Sequence, residues 1–427
     1  MLDIAILEGV RSPFVKVQGP LGNVPAQELG RHVAQAVLER AAVRPDQVDQ
    51  VVFGNAAIPP DAPNIARVIA LLAGVPQERI AHTVHRNCAS GMEAITTAAQ
   101  ILRLGEARLI LAGGTESMTR IPLLYNEDAV KIFVGLMSAR SAWQRATTFL
   151  RFRPKHLLRP VIAIKQGLTD PVSGLLMGET AELLVEEFGI SRREQDEFAL
   201  ESHRRAVDAQ KRGLLAEEIA PVPAALAGQE VRDDVGPRPN QSLEALAKLK
   251  PVFKEGGTLT VGNSCGLTDG AAAVVMLPGE AARAEGRRPL GYLRGYAYAG
   301  CDPKRMGLGP AYATHKLLEK TGLSLRDIDL MEMNEAFAAQ VIANERAFAS
   351  DQFARNELGR SQALGTIDRE KLNVNGGAIA LGHPVGATGS RLVITLLKEL
   401  RRRGGRFGLA TLCIGGGQGG AVLVEAA

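Results

Sequence analysis

The chain has 427 residues, with 50 Lys and Arg against 46 Asp and Glu, which gives a formal net charge of +4. This length predicts about two to three domains, and a composition of 46% hydrophobic and 22% charged residues excludes a disordered chain. The small positive charge and the aromatic content of only 4% exclude a nucleic-acid-binding protein.

Short apolar strands alternate with helical patterns along the first part of the chain. The pattern predicts strands over 2–8, 51–53 and 109–112 and helices over 26–42, 64–73 and 92–104. The C-terminal part repeats this order, with predicted strands over 290–298, 330–333 and 407–413 and helices over 311–321, 337–348 and 389–403. Such alternation is typical of an α/β fold.

A weak internal repeat indicates a duplication, because residues 44–56 (RPDQVDQVVFGNA) resemble residues 325–336 (LRDIDLMEMNEA). We therefore predict two copies of one α/β domain with an insertion. The predicted N-terminal half comprises residues 1–119 plus 256–285, a loop-rich inserted domain covers 120–255, and the C-terminal half covers 286–427.

The inserted region contains a basic segment, residues 129–169, that has no Asp or Glu. Apolar residues such as Ile132, Leu136 and Trp143 recur close to helical spacing, with lysines and arginines between them. This pattern predicts a basic amphipathic helix. Such a helix could contact a membrane surface, or it could be a lid that packs its apolar face on the protein itself.

The four cysteines of the chain are scattered, at positions 88, 265, 301 and 413. They form no CxxC pair, so we expect no metal site, and sparse cysteine is typical of a reducing compartment. No apolar run approaches the roughly 18 residues that cross a bilayer, and no targeting segment is recognised before the first strand. We therefore expect a cytoplasmic protein.

Two of the cysteines lie where thiol chemistry is expected. Cys88 comes directly before the helix predicted over 92–104, where free N–H groups and the nearby Arg86 would lower its pKa. Cys413 ends a predicted strand and enters a run of glycines, whose backbone N–H groups could approach a substrate oxygen. The alternative for both is a small buried residue without a chemical role.

Three polar residues complete the candidate site. His383 lies in a glycine-rich turn before Pro384, which favours a general base over a structural histidine. Asn334 and Glu335 follow a buried strand, at the end where α/β folds bind ligands. Asn334 could instead cap the following helix. Ser264 lies in a G-x-S-x-G motif, but a strand pattern follows it instead of the helix that a nucleophile elbow requires.

Seven sequence motifs, taken in chain order, resemble those of one protein family. They are NCASGMEA, GGTESM, LMGETAE, GNSCGLTDGAAAV, NEAFAAQ, NVNGGAIALGHPVGATGSR and CIGGGQGGAV, and they resemble the thiolase family across essentially the whole chain. The resemblance implies a thiolase-like fold with two duplicated α/β halves in a layered α-β-α-β-α arrangement and an inserted loop domain. It also implies that coenzyme A (CoA) is a substrate, and that neither a cofactor nor a metal is needed.

The resemblance further implies a role for each site residue. Cys88 would be the acylated nucleophile, His383 the base that activates it, and Cys413 the acid/base for the substrate α-carbon. Asn334 would hold a water that forms one oxyanion hole with His383, and the N–H groups of Cys88 and Gly415 would form the other. The implied CoA contacts are Arg238, Cys265 and Met177.

The long basic segment is similar to the thiolase (β) subunits of the trifunctional fatty-acid oxidation complex. Those subunits typically carry His where this chain has Asn334, so NEAF and CIGGG match the shorter thiolases. The implied function is a 3-ketoacyl-CoA thiolase of β-oxidation. The alternatives are an acetoacetyl-CoA thiolase acting in condensation and a non-catalytic acyl-CoA-binding scaffold.

The resemblance also implies which molecules the protein binds. They are 3-ketoacyl-CoA and CoA, a second copy of the chain in a homodimer or homotetramer, and a hydratase/dehydrogenase α subunit. Residues 129–169 would supply a peripheral membrane contact. No nucleic-acid partner is expected.

Overall fold

The structure is a computed structural model that describes residues 1–427, apart from the side chain of Leu157. Its strands are β1 (Ile4–Arg11), β2 (Val15–Lys16), β3 (Gln50–Gly54), β4 (Ile80–Val84), β5 (Ile110–Glu116), β6 (Leu123–Leu124), β7 (Val161–Ile162), β8 (Thr268–Pro278), β9 (Gly291–Gly300), β10 (Leu330–Met333), β11 (Phe407–Ile414) and β12 (Gln418–Ala426).

The α-helices are α1 (Ala26–Arg40), α2 (Ile65–Leu72), α3 (Ser90–Arg103), α4 (Glu127–Ser138), α5 (Ala142–Phe149), α6 (Pro154–Leu158), α7 (Ala163–Gly167), α8 (Met177–Phe188), α9 (Arg192–Lys211), α10 (Ala224–Ala227), α11 (Leu243–Ala247), α12 (Gly279–Ala284), α13 (Gly309–Thr321), α14 (Ala338–Phe348), α15 (Asp351–Glu357), α16 (Ala378–Leu381) and α17 (Val385–Arg403). Short 3-10 helices cover Pro45–Gln47, Met118–Arg120, Pro303–Leu308 and Leu325–Asp327.

The main sheet has the strand order β10-β11-β12-β9-β1-β8-β5-β3-β4, and β2 pairs with β8. Its two halves pair their strands in the same way. In the first half β3 and β5 are parallel, while β5 with β8 and β8 with β1 are antiparallel. In the second half β10 and β11 are parallel, while β11 with β12 and β12 with β9 are antiparallel. The predicted duplication of an α/β unit is thereby confirmed.

The helices form three layers around the strands. Helices α3 and α17 pack against each other; α3 packs on strands of the first half and α17 on strands of both halves. Helices α1 and α13 pack on strands of the first and second half, respectively. The central pair approaches closely: a Cβ added at Gly389 of α17 would overlap Met92 of α3, and Ser390 Oγ donates a 3.0 Å hydrogen bond to the carbonyl of Gly91. This arrangement matches the predicted α-β-α-β-α layers.

The predicted elements of the two halves appear within a few residues of their expected ends. The last strand, β12, follows the glycine run and was not predicted. The two glycines near its start, Gly419 and Gly420, interrupt the apolar pattern by which a strand is recognised. In the second half a tight turn over 415–417 joins β11 to β12, whereas the equivalent strands β5 and β8 are separated by the whole stretch 117–267. The insertion therefore lies between these two strands, and the predicted domain limits within it stay a prediction.

Helices α4 to α11 all lie within the predicted insertion, residues 120–255, and irregular segments join them. The prediction of a single basic helix within 129–169 is wrong, because this segment contains several separate helices. Helix α4 ends before Ala139, which is extended, and Ser141 caps a new helix by accepting a 3.2 Å hydrogen bond from the backbone N–H of Gln144. A serine that satisfies a free N–H group favours a new helix start at this point.

In the described part of the chain, no helix combines the length and the apolar character that crossing a bilayer requires. Among the same residues, no group of three His, Cys, Asp or Glu side chains is arranged to hold a metal ion.

Candidate active site

The turn that carries Cys88 lies between β4 and α3. Asn87 has a φ of 44°, in the left-handed region that non-glycine residues rarely adopt. Ser90, the first residue of α3, fixes the turn: its hydroxyl accepts a hydrogen bond from the N–H of Arg86 and donates one to the carbonyl of Asn87. Such strained turns are often found at functional sites, where the surrounding contacts hold them in place.

The predicted lowering of the Cys88 pKa is wrong. Burial raises the pKa of this thiol, and the nearby Glu116 carboxylate adds to the rise, although the N–H groups of Gly415 and of Cys88 itself oppose it. Arg86 does not serve the thiol, because its guanidinium pairs with Glu93 at 2.7 Å and lies 4.2 Å from the centre of the Tyr298 ring. Cys88 therefore rests as a neutral thiol, and a base must remove its proton.

His383 is buried and oriented by its own turn. Its Nδ1 lies 2.6 Å from Thr388 Oγ1, and this hydroxyl donates its proton to the carbonyl of Pro384 at 3.0 Å. The hydroxyl oxygen therefore accepts from Nδ1–H, which leaves the lone pair on Nε2. Burial, together with the charge of Arg391, lowers the pKa of His383 to about 3, so the imidazole is a neutral base.

Cys413 and Asn334 are held by neighbouring parallel strands. Asn334 follows β10 and donates its backbone N–H to the carbonyl of Thr411 at 2.9 Å, two residues before Cys413 in β11. Burial raises the pKa of Cys413 well above its usual value, and the charges of the Cys88 and Cys265 thiols add to the rise, so these thiols lie near one another. The structure thus gathers three cysteines from distant motifs.

Several buried polar atoms of the site have no partner among the described residues. They include both side-chain amide atoms of Asn334, Nε2 of His383 and the hydroxyl of Ser264. Buried polar groups are almost always hydrogen-bonded, and ordered water commonly supplies the missing partner. The alternative prediction that Asn334 caps a helix is wrong, because the helix begins after Phe337 and no side chain caps it.

A cavity of about 910 Å³ opens beside the Cys88 turn. Among the predicted site residues, Cys88, Met177 and Gly415 line this cavity. His383 and Cys413 are not among its lining residues. Its wall is largely apolar and includes Ile58, Ile121, Leu124, Ile164, Leu168 and Val172. A cavity of this size with few polar groups is typical of a small-molecule binding site.

The other predicted CoA contacts, Arg238 and Cys265, are not among the residues that line this cavity. Arg238 is exposed, and its backbone N–H lies 3.3 Å from Nδ1 of His203. Cys265 donates its backbone N–H to the carbonyl of Ala336, and burial raises the pKa of its thiol to about 12. The role of both residues in CoA binding stays a prediction.

Glu116 is a site residue that the sequence reasoning missed. It ends β5, lines the cavity and is 1% exposed, and burial raises its pKa to about 7. The motif GGTESM contains it, and a carboxylate at the end of a glycine-containing strand was a signal that could have been used. Glu335, which the sequence singled out, instead accepts hydrogen bonds from Ser202, Asn373 and the N–H of Ile379.

Comparison with known proteins decides the family. The model of the thiolase N-terminal domain matches residues 4–280, and the model of the thiolase C-terminal domain matches residues 287–426. The chain belongs to the thiolase family. This thiolase is 42% identical to the 3-ketoacyl-CoA thiolase of Yersinia enterocolitica over 99% of the chain and 96% of that protein, and 41% identical to that of Photorhabdus laumondii with the same coverage.

Solved thiolase structures share the fold of this thiolase. The acetyl-CoA acetyltransferase of Bacillus anthracis superposes with a TM-score of 0.87 at 39% identity, covering 100% of this chain and 99% of that one. Human mitochondrial 3-ketoacyl-CoA thiolase gives 0.87 at 38% identity over the same shares, and its complex with CoA gives 0.86 at 38% identity over 100% of this chain and 98% of that one. The thiolase-like fold predicted from the sequence is confirmed.

Proposed function

We propose that this thiolase cleaves 3-ketoacyl-CoA with CoA to acetyl-CoA and an acyl-CoA shortened by two carbons. One observation carries the proposal: two buried thiols, Cys88 and Cys413, lie near each other, and the helix start that follows the buried imidazole of His383 is hydrogen-bonded to Glu116 beside Cys88. Carbon–carbon cleavage by thiolysis needs a nucleophile, a base and a second acid/base, and these residues supply all three. Relatives named 3-ketoacyl-CoA thiolase, matched over 99% of the chain, support it.

In the first half-reaction, Cys88 transfers its proton to Nε2 of His383 and attacks the C3 carbonyl of the substrate. The water held by Asn334, together with His383, or the N–H groups of Cys88 and Gly415, would stabilise the resulting oxyanion. The bond between C2 and C3 then breaks, and its electron pair remains on C2. Cys413 donates a proton to C2, which releases acetyl-CoA and leaves an acyl group on Cys88.

In the second half-reaction, Cys413, now a thiolate, removes the proton from the thiol of an incoming CoA. The CoA thiolate attacks the acyl-Cys88 thioester, and the shortened acyl-CoA leaves as the Cys88 sulfur recovers its proton from His383. Each half-reaction ends with one product released, so ping-pong kinetics are expected. CoA acts as a substrate throughout, with Arg238, Cys265 and Met177 proposed as its contacts.

Covalent trapping tests the proposal directly. Incubation with an acyl-CoA in the absence of free CoA should add one acyl group to the peptide that contains Cys88, detected by mass spectrometry. Cys265→Ser is the matched control, since it removes a neighbouring thiol and should still form the adduct. An adduct on Cys413 or Ser264 would overturn the assignment of the nucleophile.

The enzymatic alternative is an acetoacetyl-CoA thiolase that works in condensation. The structural neighbour from Bacillus anthracis, named acetyl-CoA acetyltransferase, supports this alternative. Thiolysis rates measured over a series of 3-ketoacyl-CoA chain lengths separate the two, because a degradative enzyme should accept long chains. Complete inactivity on the whole series would instead favour the acyl-CoA-binding scaffold. We propose a cytoplasmic location for the degradative enzyme.

We further propose that the enzyme forms a homodimer or homotetramer. Strand β4 is the last strand of the sheet, and Ile80 at its start is 64% exposed, so its free edge can pair with a second copy. Light scattering of the purified chain tests this proposal. A hydratase/dehydrogenase α subunit is the proposed further partner, and co-purification with such a subunit tests it.

The proposed membrane contact uses a surface that we call the basic surface, formed by residues 129–169. Its exposed basic side chains are Lys131, Arg140, Arg145, Arg151, Arg153, Lys155, Arg159 and Lys165. Its exposed apolar side chains include Val134, Met137, Trp143, Phe149, Leu150 and Leu158. Apolar side chains among cations favour binding to anionic lipid.

Binding of anionic liposomes at increasing salt tests the basic surface. Replacing Arg140, Arg145 and Arg151 with Glu should abolish binding and leave thiolysis of short substrates intact. Three exposed basic residues outside the surface, changed to Glu together, provide the charge-matched control: Arg103, Lys211 and Arg326. Absence of salt-sensitive binding by the unmodified protein would favour the lid alternative.

A further inference from the structure

Glu116 accepts four hydrogen bonds, and all four donors are uncharged N–H groups. Its Oε1 accepts from Asn55 Nδ2 at 2.9 Å and from the backbone of Ala57 at 3.0 Å. Its Oε2 accepts from the backbone N–H groups of Ala56 at 3.0 Å and Gly386 at 2.9 Å. The carboxylate therefore connects the loop after β3 with the start of α17.

A carboxylate buried in this way is costly, because its four donors bring no positive charge of their own. Only the ionised form accepts from all four N–H groups, since a protonated oxygen becomes a donor. An amide of the same shape would likewise place an NH2 group against two N–H groups. The arrangement is therefore built for a negative charge at this position, beside the reactive thiol and on the wall of the cavity.

The contact with Gly386 fixes the turn that carries His383. Gly386 lies in the first turn of α17, and Thr388 of the same turn holds Nδ1 of His383. A negative charge at a helix N-terminus is favourable, because the free N–H groups there carry partial positive charge. The Glu116 carboxylate is thus connected to the His383 imidazole in three steps: its hydrogen bond with Gly386, the first turn of α17, and the hydrogen bond between Thr388 and Nδ1.

Close packing of β5 against α17 restricts the position of the Glu116 carboxylate. A Cβ added at Gly386 would come within 2.6 Å of the carbonyl oxygen of Thr115, and one added at Gly114 would overlap the carbonyl of Gly386. The end of β5 and the start of α17 therefore meet backbone to backbone. A change at Glu116 is transmitted to the His383 turn because no gap separates the two segments.

We propose that Glu116 is a positioning residue that holds the turn carrying His383 against the part of the site that contains Cys88. This inference rests on the proposed function, because it takes His383 as the base for Cys88. Glu116 itself makes or breaks no bond to the substrate. Its contribution to the rate passes through the position of Nε2 of His383. Its charge, which raises the Cys88 pKa, acts in the opposite direction, so loss of the charge alone would favour the thiolate.

The test is Glu116→Gln, examined by alkylation of Cys88 with iodoacetamide and by steady-state thiolysis. We expect kcat to fall about 10²-fold with little change in KM, since a shift of about 1 Å in a catalytic group costs this much. Alkylation at neutral pH, where the thiol needs its base, should slow similarly. At alkaline pH the thiol ionises without help, and alkylation should return to the rate of the unmodified protein.

A double-mutant cycle separates positioning from general damage. Glu116→Gln should slow alkylation in the unmodified background and should not slow it in the His383→Asn background, where loss of the charge beside Cys88 can only favour the thiolate. Glu106→Gln, an exposed acid between α3 and β5, is the matched control and should change neither rate. Glu116→Asp keeps the charge but has a side chain one methylene shorter. It should show the same fall in kcat and the same slowing of alkylation, and it replaces Glu116→Gln in the test if that variant does not fold.

Three outcomes would overturn the inference. They are a folded Glu116→Gln protein with unchanged kcat, an equal slowing of alkylation in the His383→Asn background, and slow alkylation that persists at alkaline pH. Failure of the proposed function is distinguishable from these, because it would appear as absent thiolysis in the unmodified protein. The alkylation measurements need no turnover and test the positioning role separately.

Discussion

The side-chain amide of Asn87 donates a 2.8 Å hydrogen bond to the carbonyl of Gly415, which lies 328 positions later in the chain. The N–H of the same Gly415 faces the Cys88 thiol. One contact thus aligns the turn of the proposed nucleophile with a proposed oxyanion-hole donor, and it joins the first half of the duplicated fold to the second.

Removing this contact should impair catalysis more than binding. Asn87→Gly keeps the left-handed backbone without strain but deletes the amide, so it isolates the hydrogen bond from the conformation. We expect kcat to fall by about 10²-fold, as for loss of an aligned oxyanion donor, with a smaller change in KM. Asn87→Ala should fall at least as far, because it adds backbone strain. Unchanged turnover in Asn87→Gly would contradict the alignment.

The hydroxyl of Thr388 should set the tautomer of His383. Thr388→Val removes the acceptor of Nδ1–H while keeping the shape of the side chain, and we expect about tenfold lower kcat, equivalent to about 1.4 kcal/mol. The matched control is Thr395→Val in the same helix, whose buried hydroxyl has no partner among the described residues. Steady-state kinetics of both variants test this prediction, and equal effects would refute it.

The resting site should contain a neutral thiol and a neutral imidazole. Burial raises the Cys88 pKa, so thiolate absorbance should be missing at neutral pH and emerge only on alkaline titration. The His383 pKa is lowered from 6.5 to about 3, so between these values the unfolded chain binds the extra proton. The stability contributed by this group is therefore complete above about pH 6.5 and is lost as the pH falls toward about 3. Thiolate absorbance at neutral pH would contradict the neutral pair.

Cys413 should be needed for the proton at the α-carbon but not for acylation. Cys413→Ala should lower overall thiolysis by about 10²–10⁴-fold, the usual effect of one well-placed acid/base. It should still accept an acyl group from a simple acyl-CoA onto Cys88, as mass spectrometry can show. Cys301→Ala removes a neighbouring thiol and serves as the control. Turnover by Cys413→Ala at the unmodified rate would exclude the role.

The local sequence was enough to locate most elements and the candidate side chains. Apolar periodicity predicted most strands and helices of both halves, although not β4 and β12, because most elements bury one face and their pattern depends on near neighbours. The break at Ala139 was missed, since the apolar spacing continues across it while Ser141 caps a new helix. The ordered motifs predicted the thiolase fold, which is confirmed, and Cys88, Cys265 and Cys413 lie near one another. The roles assigned to these residues and to His383 stay a prediction.

The charge states of these side chains were decided only by the tertiary structure. A position before a helix suggested a lowered pKa for Cys88, but burial and the nearby Glu116 charge outweigh the few N–H groups of that turn. Glu116 gained its importance from Gly386, 270 positions away, and no local pattern records such a contact. The sequence by itself determined which chemical groups are present and which elements hold them. Solvation and long-range hydrogen bonds, which depend on what each group finally packs against, determined how they ionise and where they point.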